Sequence, residues 1–124
     1  MPLFWRIDSR ERLFIGIGEG EVTFSDAASL LDVLAGAKAV PYRKIIDGRA
    51  AHSTMTDEEL LAVCARIRGL HELGTVGALA LVGAPDQYTK CARLLGALAA
   101  ADRPIKLFGR VLTARRWLDE QARS

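Results

Sequence analysis

Hydrophobic and polar residues alternate along the first part of the chain, which is the period of a β-strand. Apolar side chains recur at every second position through residues 3–8 and again through residues 12–18. Because successive strand residues point to opposite faces of a sheet, this pattern predicts two half-buried strands. The polar residues 9–11 between them are typical of a tight turn, so we expect an antiparallel hairpin.

Farther along, apolar residues take the spacing of a helix and then return to that of a strand. Ser25 is placed to cap a first helix, in which leucines recur at helical spacing. Residues 42–47 predict the next strand. Thr56 and Glu59 form the signature of a capping box, which predicts a second helix that stops near Gly74.

The second half of the chain repeats this order. The continuous apolar run over 78–82 predicts a central strand that is covered on both faces. Helical spacing predicts a third helix over 88–99, residues 105–108 predict a fifth strand, and Thr113 is placed to cap a last helix. The order β-β-α-β-α-β-α-β-α predicts one α/β domain over 1–124, with four helices and a five-stranded mixed, mainly parallel sheet.

Composition agrees with a single globular domain. The chain has 124 residues, of which 50% are hydrophobic and 26% are charged. Seventeen basic residues against fifteen acidic ones give no basic field of the kind that nucleic-acid binding needs. No apolar run approaches the roughly 20 residues of a membrane span. We therefore expect neither a nucleic-acid partner nor a membrane span.

The cysteines and the amino terminus predict a reduced, cytoplasmic protein. Charged residues from Arg6 to Arg12 interrupt the amino terminus before the apolar core of a signal peptide could form. Cys64 and Cys91 lie in separate helical patterns and are typical of small buried apolar residues rather than of a disulfide framework. Together with His71 they are too few for a zinc site, so we expect no metal and no cofactor.

Stretches spread over nearly the whole chain carry a resemblance to a known fold. They are residues 5–8 leading into 12–15, residues 41–47 followed by 55–60, and residues 103–108 followed by 114–118. This layout resembles the STAS domain, the SpoIIAA-like fold of the anti-sigma-factor antagonists. It is most similar to a bacterial branch of STAS/SEC14-like domains that are mostly uncharacterised. None of these stretches is a chemical signature, so the resemblance implies a fold more than a function.

The resemblance also implies a region for regulation. In STAS antagonists a kinase phosphorylates a serine or threonine in the loop after the third strand, and the matching region here is the predicted loop Asp47–Thr56. Ser53 and Thr54 are its candidate phosphoacceptors. The antagonist pattern of an aspartate, two hydroxyl residues and a glycine is changed, because His52 and Met55 stand where the aspartate and the glycine would be.

The residue types in this loop allow the same interpretation on physical grounds. The free N–H groups and positive dipole end of the following helix would stabilise a phosphate or another anion. A phosphate on Ser53 or Thr54 could also pair with Arg49. Thr56 is explained as a helix cap. Asp47, at the carboxyl end of its strand, is either a ligand-binding group or a residue that stabilises the turn.

Three functions follow as hypotheses. The first is a non-enzymatic regulatory or protein-interaction module, switched by phosphate or an anion at the Asp47–Thr56 loop. Its working surface would be this loop, with Asp47, Arg49, His52 and Thr56 as interaction candidates, and the first turn of the following helix. The second is a SEC14-like binding domain for a small apolar ligand held between sheet and helices. The third is a small enzyme that uses Asp47 and His52, which requires these side chains to converge in a cleft.

Two aromatic residues raise the question of a further partner. Phe4 and Trp5 fall on opposite faces of the predicted hairpin. The helices of the domain, a bound ligand or a second copy of the chain could cover them. A homodimer is therefore one of the predicted assemblies.

Overall fold

The computed structural model describes residues 3–53, 55–70, 77–84 and 105–123. Its helices and strands are, in chain order, β1 (Leu3–Asp8), β2 (Leu13–Val22), α1 (Phe24–Gly36), β3 (Arg43–Ser53), α2 (Asp57–Leu70), β4 (Leu79–Val82), β5 (Ile105–Phe108) and α3 (Val111–Arg123). The predicted helix over 88–99 and the predicted helix stop at Gly74 lie outside the described residues. None of the described helices is long and apolar enough to cross a membrane.

The five strands form one mixed sheet in the order β1-β2-β3-β4-β5. β1 runs antiparallel to β2, and each later neighbour is parallel, as the pattern predicts. The turn between β1 and β2 closes on Asp8, whose Oδ1 accepts hydrogen bonds from the backbone N–H groups of Arg10 at 3.1 Å and Glu11 at 3.0 Å. A short acidic side chain that bonds its own backbone in this way stabilises the reversal of the chain.

Helices cover the two faces of the sheet. α1 packs against one face, hereafter the α1 face, around Phe14 and Leu34. α3 packs against the other, hereafter the α3 face, around Leu13 and Leu118. Leu13 and Phe14 are consecutive and at most 1% exposed. Because neighbouring strand residues point to opposite faces, β2 contributes one of them to the core on each side of the sheet. Burial of each such side chain contributes about 1.5–3 kcal/mol.

Two of the predicted helix caps are wrong. α1 is capped by Thr23 rather than Ser25, because the Thr23 hydroxyl accepts from the Asp26 N–H at 3.2 Å and the Asp26 carboxylate accepts from the Thr23 N–H at 2.9 Å. This reciprocal pair satisfies two backbone donors at once. α3 begins two residues before Thr113, whose hydroxyl donates to the Arg110 carbonyl at 3.0 Å from inside the first turn.

A buried lysine fixes the chain at the amino-terminal edge of β3 and β4. Lys44 is 3% exposed, and its Nζ donates to the carbonyl oxygens of Val40 at 2.6 Å and Tyr42 at 2.7 Å. The Gly77 N–H also donates to the Val40 carbonyl, at 3.1 Å. A Cβ at Gly77 would overlap the Tyr42 carbonyl oxygen. The segment before β4 can therefore cross the segment before β3 only because it has no side chain there.

Replacement of this glycine tests the crossing. We expect Gly77→Ala to lower the free energy of unfolding by about 1–3 kcal/mol, because the atoms in its way are backbone atoms that cannot rotate aside. Gly69→Ala in α2 is the matched control, since apart from its own helix no heavy atom of the described residues lies within 4 Å of its Cβ position. The control should raise stability by up to about 1 kcal/mol. Urea denaturation measures both, and equal effects of the two substitutions would contradict the crossing.

Candidate functional site

β2 and β3 continue side by side past the end of β4. β4 ends at Val82, whereas β3 runs on to Ser53 and stays paired with β2. The predicted loop over Asp47–Thr56 is therefore wrong for all but its last residues. The segment over residues 47–53 is poor in strand-forming residues. Pairing with β2 nevertheless gives its backbone N–H and C=O groups hydrogen-bond partners, and this gain outweighs the low strand propensity. We call this two-stranded extension, residues 19–22 with 50–53, the arm.

A β-bulge lies at the base of the arm. Ile17 pairs with Asp47 and Glu19 pairs with Ala50, so two steps along β2 match three along β3. A bulge places an extra residue in one strand and redirects the side chains around it. Here the extra residue lies in β3, in the stretch that contains Arg49.

Arg49 forms a two-point ion pair with Asp47 next to the bulge. Its Nε donates to Asp47 Oδ1 at 3.0 Å, and its Nη2 donates to Oδ2 at 2.8 Å. The backbone N–H of Arg49 also donates to Oδ1, at 3.1 Å. Paired hydrogen bonds between a guanidinium and a carboxylate fix both groups in one geometry. The pair is accessible, since the two side chains are 45% and 19% exposed for Arg49 and Asp47.

The ion pair holds both groups in their charged forms. The side-chain hydrogen bonds from Arg49 lower the pKa of Asp47, against the smaller opposing effect of partial burial. The same hydrogen bonds raise the pKa of Arg49. The carboxyl group of Asp47 is therefore an anion at neutral pH, fully engaged by its neighbour.

A shallow depression of about 280 Å³ adjoins the ion pair. Its lining residues are Ile17, Gly18, Asp47, Arg49 and Ala50. Ile17 is 40% exposed although it is a large apolar residue on a paired strand. The depression thus combines an apolar wall with a fixed pair of opposite charges, open to solvent.

Phe4 extends this apolar wall onto β1. In the register of the hairpin Phe4 pairs with Ile17, and Phe4 is 47% exposed. Ile15, two residues before Ile17, packs into the core on the α3 face, so the Phe4–Ile17 pair lies on that same face. The described part of α3 makes most of its contacts with β3, β4 and β5, and β2 joins this core through Leu13 and Ile15. Sequence patterning identified Phe4 as unusual but missed Ile17, because its exposure depends on where α3 packs.

Asp47 and His52 do not come together. His52 pairs with Glu21 in the arm and is exposed. Five residues of strand at about 3.3 Å each place the two Cα atoms on the order of 15 Å apart. This separation does not provide the cleft that an acid–base pair would require.

The remaining predicted residues stabilise the connection to α2. The Ser53 hydroxyl accepts from the Met55 N–H at 3.1 Å, which closes a local turn. Thr56 caps α2 as predicted, because its hydroxyl accepts from the Glu59 N–H at 3.1 Å and the Glu59 carboxylate accepts from the Thr56 N–H at 3.0 Å. Thr54 lies outside the described residues.

The arm and the start of α2 are strongly acidic. The first turn of α2 carries Asp57, Glu58 and Glu59. On the arm, Glu19 and Glu21 are both exposed. Over residues 17–22 and 47–59 the sequence has one arginine or lysine, Arg49, and it is paired with Asp47. The sequence of these stretches therefore carries a net negative charge.

Removal of the guanidinium tests the ion pair. We expect Arg49→Gln to raise the pKa of Asp47, which carbon-detected NMR titration of the carboxyl group measures. In the unmodified chain the lowered pKa stabilises the fold above the unfolded value of about 3.9, and this contribution is lost as pH falls through the folded value. Arg115→Gln on α3 is the control and should leave the Asp47 titration unchanged. An Asp47 pKa that is the same in Arg49→Gln and in the unmodified chain would contradict the pairing.

Comparison with known proteins assigns the fold. No family model and no curated protein matches the chain. Among solved structures it is similar to an uncharacterised protein of the DUF3478 family from Shewanella loihica PV-4, whose crystal structure has a SpoIIAA-like fold. The TM-score is 0.65, the sequence identity is 16%, and the match covers 94% of this chain and 93% of that chain. At this sequence identity the similarity is evidence for the fold and not for the activity. It confirms that this chain has the SpoIIAA-like fold.

Proposed function

We propose that the chain is a non-enzymatic protein-interaction module that binds its partner at the base of the arm. The working surface consists of Ile17, Glu19, Glu21, Asp47 and Arg49. One observation carries the proposal: the two-point Asp47–Arg49 ion pair lies beside an exposed isoleucine in an open depression. An apolar residue next to a fixed, directional pair of charges is the composition of a protein interface.

The state of the charged groups supports binding over catalysis. A general base needs a proton affinity near the working pH, whereas Arg49 keeps Asp47 ionised. His52, the other candidate for acid–base chemistry, is too far along β3 to share a proton with Asp47. Among the described residues no group of three or more metal-binding side chains stands in as an alternative catalytic centre.

The charge of the surface indicates the chemistry of the partner. Glu19 and Glu21 follow the depression along β2 and are exposed. Complementary charge favours a basic partner segment and speeds its association. An apolar side chain in that segment would cover Ile17. The proposed partner therefore presents lysine or arginine residues around an apolar anchor.

The depression supports a small apolar ligand less well. Its volume of about 280 Å³ is below the roughly 300–1,000 Å³ of most ligand sites, and two charged side chains line it. A lipid-like ligand would have to bury both charges or break the ion pair. The SEC14-like alternative would be supported by an apolar molecule that stays bound in native mass spectrometry.

The local charges also bear on a phosphate switch at Ser53 or Thr54. Three carboxylates already occupy the first turn of α2, and they would repel a phosphate placed just before it. A phosphate on Ser53 would also remove the hydroxyl that accepts from Met55. The switch remains a prediction, and in this setting phosphorylation would loosen the connection between β3 and α2 rather than order it.

Site-specific photo-crosslinking in the native host tests the proposed surface. We expect a photoreactive amino acid in place of Ile17 to give a discrete crosslinked protein. The same group in place of Glu120, an exposed residue of α3, is the control. The double charge reversal Glu19→Lys with Glu21→Lys should reduce the Ile17 product by at least about tenfold, since it repels a basic partner.

The outcomes of this experiment separate the alternatives. Charge reversal at Glu120, Glu120→Lys, should leave the Ile17 product intact. Crosslinking that is equally strong from positions 17 and 120, or a product from position 17 that survives reversal of both arm glutamates, would contradict the proposed surface.

A further inference from the structure

β1 is an edge strand whose outer side is open among the described residues. The sheet ends at β1, and all of its pairing is with β2. No described residue outside β2 makes a backbone hydrogen bond to residues 3–8. Such a row of unpaired N–H and C=O groups can be matched fully only by another strand.

The side chains of β1 also favour pairing. Phe4 and Trp5 are 47% and 38% exposed and lie on opposite faces of the strand. Edge strands that avoid association carry charged side chains, proline or a bulge; between Leu3 and Ile7, β1 has one such feature, the charge of Arg6. A strand that adds to this edge would cover aromatic surface on both sides of the sheet.

We propose that a second copy of the chain pairs antiparallel with β1, with Trp5 on the two-fold axis. In this register Trp5 lies opposite the partner's Trp5 on the α1 face, and Leu3 lies opposite the partner's Ile7 there. Phe4 lies opposite the partner's Arg6 on the α3 face, and the symmetry makes this contact twice. A guanidinium over an aromatic ring is a favourable pair, so the single charge in the middle of β1 becomes part of the interface.

Geometry excludes the neighbouring registers. Opposite residues in a continuous sheet point to the same face, so the axis must pass through a residue rather than between two. An axis at Arg6 would place two guanidinium groups directly opposite each other, which is unfavourable. An axis at Phe4 or Ile7 would pair only one end of β1. An axis at Trp5 pairs every residue from Leu3 to Ile7.

The proposal predicts one continuous sheet across both copies, and it is independent of the partner proposed for the arm. Because the axis is perpendicular to the sheet, the two working surfaces would lie on the same face of the joined sheet, at opposite ends of the paired strands. Dimerisation would therefore leave both arms accessible.

Sedimentation velocity over a concentration series tests for the dimer. We expect the unmodified chain to shift from monomer to dimer as its concentration rises. Trp5→Glu should raise the dissociation constant by at least about tenfold, since an aromatic residue at the centre of an interface is replaced by like charges. Leu112→Glu, at an exposed position of α3, is the control and should leave the constant unchanged. A chain that is monomeric at every concentration would overturn the proposal.

Cysteine crosslinking tests the register. Directly opposite Cβ atoms lie about 4.5–5.5 Å apart and diagonal ones about 7–8 Å, whereas a disulfide needs about 3.5–4.5 Å. Under mild oxidation Trp5→Cys should therefore crosslink, while Phe4→Cys and Arg6→Cys should crosslink only with each other. A mixture of the last two variants provides this comparison without changing Trp5. Efficient crosslinking of Phe4→Cys or Arg6→Cys with itself would overturn the register.

Discussion

The pairing of β2 with β3 beyond the end of β4 is the constraint on which the site depends. Within the four-residue length of β4 the sheet is an ordinary parallel core, filled from both faces by α1 and α3. Past Val82, β3 has β2 as its strand neighbour, and a bulge accommodates the change. The bulge lies beside the Asp47–Arg49 pair, and the pair forms one side of the depression. Without the extended pairing, these residues would belong to a loop with no fixed geometry.

The dimensions of α3 explain why apolar residues remain exposed at this site. A helix with its side chains is about 10–12 Å wide, and strands lie about 4.8 Å apart, so one helix covers two or three strands. α3 makes most of its contacts with β3, β4 and β5. Arg43 holds it there, because its guanidinium donates to the Leu118 carbonyl at 3.2 Å and to the Glu11 carbonyl at 2.8 Å. On the same face Phe4 and Ile17 lie beyond the helix and stay partly exposed.

Local sequence patterns predicted the elements of the fold but not the geometry of the site. Alternation predicted β1 and the start of β2, and the Thr56–Glu59 spacing predicted the start of α2, because each signal lies within a few neighbouring residues. The continuation of β3 had no such signal, since its strand partner lies some 30 residues earlier in the chain. One local signal was available and overlooked: an aspartate and an arginine two positions apart share a face if the segment is a strand.

Amide hydrogen exchange tests most directly whether the arm is a paired strand, on which the geometry of the site depends. If the arm is paired, we expect an alternating pattern over Ala50–Ser53, in which every second amide is protected by a hydrogen bond to β2. Those protected amides should exchange as slowly as the paired amides near Ile45. Exchange of all four arm amides at the rate of an unpaired loop would contradict the pairing of β3 with β2 in the arm. The Asp47–Arg49 ion pair would then not lie beside a paired strand.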